Sequence, residues 1–297
     1  MKTAVVVIGI VLGWNAAAAA QPRILTVDDI SKWDSPPADV RIPYGDGELQ
    51  FGDLRLPEGT GPHPVAILIH GGCFLSMYNI EHNARFAEAL AESGIAVWNL
   101  EYRRVGNEGG GWPGTFEDIA RGADHLRMLA KDYPLDLERV ISIGHSAGGH
   151  LALWVAARHR LPPDSPILFG DPISLKGVLA LASVPDLAYL HEKRPCEGAV
   201  DGLVGGSPEE VPDHYAQASL VELVPLGLPQ ILINGKYDYD WAPVGVRYFE
   251  AAKAAGDDVR LIEAPESGHF ELIDPASSTW PLVRDAALEL LRPVAER

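Results

Sequence analysis

A serine hydroxyl becomes a useful nucleophile only when a base takes its proton and a third group steadies that base. Three stretches of this chain carry the residue types for such a relay. Gly144-His145-Ser146-Ala147-Gly148-Gly149 places a serine among small residues. It follows an apolar, β-branched run at 140–143 and opens a stretch with helical spacing at 147–158. A sharp strand-to-helix turn strains the serine backbone, and only small neighbours two residues away fit beside it. The turn lifts the Ser146 hydroxyl clear of the sheet, at the positive end of the helix. His70-Gly71-Gly72-Cys73-Phe74 lies directly after the run 65–69. Backbone N–H groups fixed in advance of reaction stabilise charge on a carbonyl oxygen. The donors expected are those of Gly72, Cys73 and Ala147.

The base is expected in Ser267-Gly268-His269, a short loop after the apolar run 259–262. His269 fits this place better than the other nine histidines. His145 sits inside the serine turn and His70 inside the Gly-Gly stretch, so both read as structural. His125 and His159 fall on helices. His63, His82, His150, His191 and His214 have no strand-end context. The acid that orients the base is expected in Asn234-Gly235-Lys236-Tyr237-Asp238-Tyr239-Asp240, after the run 230–233. Asp238 has the favoured offset from Gly235, and Asp240 is its competitor. Phe74, Trp112 and His145 are candidate pocket residues. Trp112, in Gly109-Gly110-Gly111-Trp112-Pro113, reads equally as an aromatic wall or as a buried cap on a glycine turn.

These loops need elements that bring them together. Short β-branched runs at 65–69, 95–100, 140–143, 177–182, 230–233 and 259–262 alternate with helical spacing at 82–93, 116–131, 147–158, 243–255 and 277–291. That alternation predicts a mostly parallel sheet covered by helices on both faces. Residues 48–56 alternate as an exposed edge strand does, and 21–45 read as an irregular, Pro-rich arm. Residues 185–228 break the alternation and are expected to form an insertion over the carboxyl edge of the sheet, where open α/β sheets place ligands. No linker or repeat divides 21–297, so one domain is expected.

Composition narrows the possible partners. The formal net charge of −17 repels phosphate backbones and anionic membrane surfaces. No metal-binding or phosphate-cradling motif is present, so no cofactor is expected. Lys2, the greasy run at 4–12 and the small residues at 16–20 have the three parts of a secretory signal, with cleavage near Ala20. A periplasmic or secreted protein follows as an expectation. The two cysteines, Cys73 and Cys196, then either bridge the insertion to the Gly-Gly loop or remain separate thiols.

HGGCF at 70–74, EYRR at 101–104, GGGWPG at 109–114, GHSAGG at 144–149, NGKYD at 234–238 and SGHF at 267–270 together resemble the α/β-hydrolase superfamily. The resemblance is to its His-Gly-Gly esterase branch, which includes acetyl-esterase-like and kynurenine-formamidase-like serine hydrolases, and it runs from about residue 65 to 293. It implies an α/β-hydrolase fold with a small lid after the sixth strand. It also implies a triad of Ser146, Asp238 and His269, with Gly72 and Cys73 as oxyanion donors. Cys73 stands where many relatives have glycine or an aromatic, which changes the pocket wall. The implied activity is carboxylic-ester hydrolysis through an acyl-enzyme. An arylformamidase or aminoacyl-peptide amide hydrolase with the same triad, and a non-catalytic binding module, are the alternatives. Either enzyme would take a small-molecule ester or amide.

Overall fold

The computed structural model describes residues 22–292. The expected signal and its cleavage point lie outside the described residues. Eight strands form one sheet in the order β1-β2-β4-β3-β5-β6-β7-β8. They are β1 Val40–Pro43, β2 Phe51–Arg55, β3 His63–Ile69, β4 Ala96–Leu100, β5 Leu135–His145, β6 Gly177–Leu181, β7 Gln230–Gly235 and β8 Val259–Ala264. Pairing is parallel from β4 through β3 to β8, while β1 and β2 are antiparallel additions.

Two expectations need correction. The stretch 21–45 is not irregular throughout: it holds the one-turn helix α1 (Val27–Ile30) and strand β1. Strand β2 is therefore no edge strand, because β1 pairs with it on one side and β4 on the other. β1 is only four residues long and ends in proline, so it carries too little pattern to be read in advance.

The helices α2 (Ala84–Glu92) and α10 (Trp280–Leu291) cover one face of the sheet. Phe86, Leu90, Val283 and Leu290 pack there on Leu68, Val97, Ile143 and Ile231. On the other face lie α3 (Gly114–Asp124), α4 (Leu126–Leu129), α5 (Ala147–Ala157) and α9 (Ala242–Ala254). Phe116, Leu151, Trp154 and Tyr248 fill that side. All eleven residues of α5 are buried, as expected of a helix apolar on every face. The stretch 185–228 folds into three short helices, α6 (Leu187–Lys193), α7 (Ala199–Val204) and α8 (Pro212–Ala218).

Strand order reverses between β3 and β5. The chain leaves β3 for β4 on one side and returns to β5 on the other. A crevice opens at the carboxyl ends of two strands that part in this way. Residues 70–74 leave β3 there, and Ser146 leaves β5.

Candidate active site

Ser146 sits at φ 57°, ψ −121°, between the end of β5 and the first residue of α5. A side chain pays strain in this region unless its surroundings hold it. Two things do so. The Ser146 N–H donates to the Leu181 carbonyl at 2.8 Å. The neighbouring glycines also let the turn close: a Cβ on Gly144 would collide with the carbonyl of Gly148, and one on Gly148 with that of Ile69. Ser146 is 7% exposed, so its hydroxyl reaches a cavity while its backbone is enclosed.

His269 is on the loop after β8. Its Nδ1–H donates to Asp238 Oδ2 at 2.7 Å. Asp238 is buried, on the loop after β7, and Asp240 is exposed at the cavity rim. The loops are tied to each other: the Tyr237 N–H donates to the Ser267 carbonyl at 2.9 Å, and Lys236 N–H to Ala264 at 3.0 Å. Ser146, Asp238 and His269 all line one cavity of 380 Å³, together with Gly72, Cys73 and His145. Three side chains spread over 124 residues thus open into the same space. A second cavity, of 20 Å³, lies against Ser146 and Ala147, and His269 is not part of its lining. Cys73, Phe74 and Cys196 line it, with Leu190 and Val200 of the insertion.

Cys73 and Cys196 are joined by a disulfide. The insertion is therefore bonded to the Gly-Gly loop. That loop is unusual in its backbone: Gly72, Cys73 and Phe74 all have positive φ, at 107°, 55° and 60°. Ala147 is the first residue of α5, where a helix leaves N–H groups without intrahelical partners.

Trp112 lines neither cavity at Ser146. Its ring stacks on His214 at 4.0 Å between centroids and meets Phe116 edge-on. Of its two sequence readings, the packed cap fits, though the ring is only half-buried, and it is removed from the pocket residues. Phe74 lines the small cavity and His145 the large one.

Two sets of supporting contacts were not legible in the sequence. Beneath the Gly-Gly loop, buried Glu101 accepts from the backbone N–H of Ile80 at 3.0 Å and of Tyr102 at 2.9 Å, and pairs with Arg104. The His70 Nδ1–H donates to the Gly71 carbonyl at 2.8 Å, while Tyr102 donates its hydroxyl to the His70 carbonyl at 2.8 Å. Glu101, Tyr102 and Arg104 of EYRR thus form a buried polar foundation for the turn at 70–74. The second set is His145 with His82. The Nε2–H of His145 donates to the backbone carbonyl of His269 at 2.9 Å. That leaves Nδ1 of His145 as an acceptor, 3.4 Å from Nε2 of His82. The residue before the serine therefore clamps the backbone of His269.

Three histidines shielded from water set the response of the fold to acid. Burial pushes the His145 imidazole well below its usual range, helped by the charges of His269 and His82. Burial holds His150 and His82 down to about 3. The unfolded chain takes up protons at all three sites below about pH 6.5, where the folded chain does not. The stability they allow is present above that pH and is lost as pH falls toward the folded values. The loss is about 1.4 kcal/mol per pH unit for each proton, so ~4 for the three once the unfolded imidazoles are fully charged. Urea unfolding followed between about pH 6.5 and 5 should approach this slope, and His150→Gln should remove about a third of it. An equal slope in the variant would refute this account.

The BD-FAE family model matches residues 53–240. Esterase EstD of Thermotoga maritima is 24% identical over 245 residues, which are 77% of this chain and 59% of that protein. The non-reducing polyketide synthase pkbA of Emericella nidulans is 27% identical over 210 residues, 65% of this chain and 8% of that protein. The chain thus spans under two thirds of either relative. A truncated carbohydrate esterase from gut microbiota superposes with a TM-score of 0.72 at 19% identity, covering 86% of this chain and 98% of that one. The architecture is that of an α/β-hydrolase, with the insertion following the sixth strand.

Proposed function

The chain belongs to the BD-FAE family, and on that footing we propose that it hydrolyses carboxylic esters through an acyl-enzyme on Ser146. One observation carries the reading: Ser146 opens into the same cavity as His269, and the far nitrogen of His269 is bonded to buried Asp238. In this scheme Nε2 of His269 takes the Ser146 proton as Oγ bonds to the substrate carbonyl carbon. Charge moves to the carbonyl oxygen, which the N–H groups of Gly72, Cys73 and Ala147 receive. As the C–O bond to the alcohol breaks, the imidazolium returns the proton to the departing oxygen. Water then repeats the sequence in reverse, giving the carboxylic acid and free Ser146. Asp238 remains a carboxylate throughout and holds the imidazole in the productive tautomer.

The two cavities divide the substrate. The departing oxygen must face the imidazole that protonates it, so the alcohol belongs in the 380 Å³ cavity beside His269. The acyl group then takes the 20 Å³ cavity, which has room for little more than one water-sized group. Short acyl chains follow from that volume. The reading extends to location: the charged and apolar pattern of residues 2–20 suits export, and a disulfide suits an oxidising compartment.

A fluorophosphonate tests both at once. Intact mass of protein recovered from the periplasm or medium should show one added phosphonyl group on a chain starting near Gln21, and peptide mapping should place it on Ser146. Label on another residue ends the assignment of the nucleophile, and a full-length mass ends that of the leader.

A further inference from the structure

We infer that the N-terminal arm, residues 22–33, forms the wall of the alcohol subsite, held in place by Glu271. The inference rests on the proposed ester hydrolysis for the name of the subsite, though its geometry stands apart from it. Ile24, Leu25, Val27 and Ile30 line the 380 Å³ cavity, as do Tyr78 and Trp241. They come from a segment more than 230 residues away in sequence from His269, yet they sit beside the same reacting site.

At its end the arm is seated by Trp33, half-buried against the core with the Arg85 guanidinium over its ring. The part that lines the cavity has little packing of its own: helix α1 has four residues, none of them buried, and Val27 is 43% exposed. A capping box between Thr26 and Asp29 shapes the turn locally but ties it to nothing else. The tie for this part is Glu271, which is 7% exposed. One of its carboxylate oxygens accepts the backbone N–H of Leu25, and the other accepts that of Gly268 at 2.8 Å. A single buried carboxylate thus joins the arm to the residue that precedes the base. Ile24 also fills the space that a side chain on Gly268 would need, so glycine there is what admits the arm.

Four aliphatic side chains and the aromatic rings that share their cavity make a subsite for an alcohol with an extended apolar or aromatic body. Small or charged alcohols gain nothing from that wall. The double variant Val27→Ser/Ile30→Ser tests this, because α1 buries neither residue and the fold has no need of them. For acetates of 2-naphthol and of methanol, the ratio of kcat/KM values should fall by about tenfold or more, as expected when apolar groups leave a pocket. The Kd for 2-naphthol itself, measured by calorimetry, should rise by a similar factor. That binding measurement needs no turnover, so it tests the arm even if the wild-type protein hydrolyses neither ester, a result that would instead sink the proposed activity. A ratio within about twofold of wild type, or an unmoved 2-naphthol Kd, overturns the inference. For the latch, Glu271→Ala should speed tryptic cleavage after Lys32 by about tenfold or more, since local opening sets that rate. An unchanged rate removes Glu271 from the scheme.

Discussion

Ser146→Ala should abolish ester turnover, with kcat falling by about a million-fold and only the small acceleration from binding and the oxyanion donors remaining. The size follows from what is lost. Without Oγ there is no acyl-enzyme, and water must attack directly beside an imidazole placed for a different proton. The fold should survive the change. Alanine keeps the backbone N–H that donates to Leu181, and it is no larger than serine in a turn whose geometry the flanking glycines permit. The measurement is kcat with a short-chain aryl acetate, alongside thermal unfolding of the same preparation. Wild-type turnover in a folded variant would end the assignment.

Asp238→Asn should cost about ten-thousand-fold in kcat with little change in KM. The carboxylate accepts the Nδ1–H of His269 at 2.7 Å, which leaves Nε2 free to accept a proton. An amide offers its NH₂ group to the same nitrogen and stabilises the opposite tautomer, with the proton on Nε2 and no base facing the serine. Asp240→Asn provides the contrast. Asp240 is exposed at the rim and has no place beside His269, so its loss should change kcat by less than about threefold, the scale of an ordinary surface substitution. If the two effects were exchanged, the acid would have been assigned to the wrong residue.

How far the site could be read from sequence depended on the range of the contacts that build it. Gly144 announces the turn at Ser146 because the clash it avoids is with a residue four positions on, whereas Gly148 makes room for the carbonyl of distant Ile69. The loops carrying Asp238 and His269 were legible because each follows a buried β-branched strand, and in a parallel sheet all such loops emerge at one edge. The same logic located the main strands and helices to within a few residues, although β5 extends well before the run 140–143, back to Leu135. What could not be read were contacts with no local signature. Nothing near Leu25 reveals that its N–H ends on Glu271, and nothing near His145 reveals a bond to the carbonyl of His269. Trp112 shows the limit in the other direction. An aromatic after three glycines suits a pocket wall and a packed turn equally well, and only the position of His214 decides between them.

The bond between Cys73 and Cys196 closes a ring in the chain across 123 positions. Ser146, Cys73 and Ala147 belong to that ring, while Asp238 and His269 lie on the tail that leaves it. A single backbone cut between residues 74 and 195 therefore releases no fragment, and Ser146, Cys73 and Ala147 stay on one covalent piece. A cut between 197 and 237 has the opposite outcome. It frees Asp238 and His269 together as one peptide, held to the serine half by the β7 and β8 edge of the sheet, the helices packed on it, and the bonds of His145 to the His269 carbonyl and of Leu25 to Glu271.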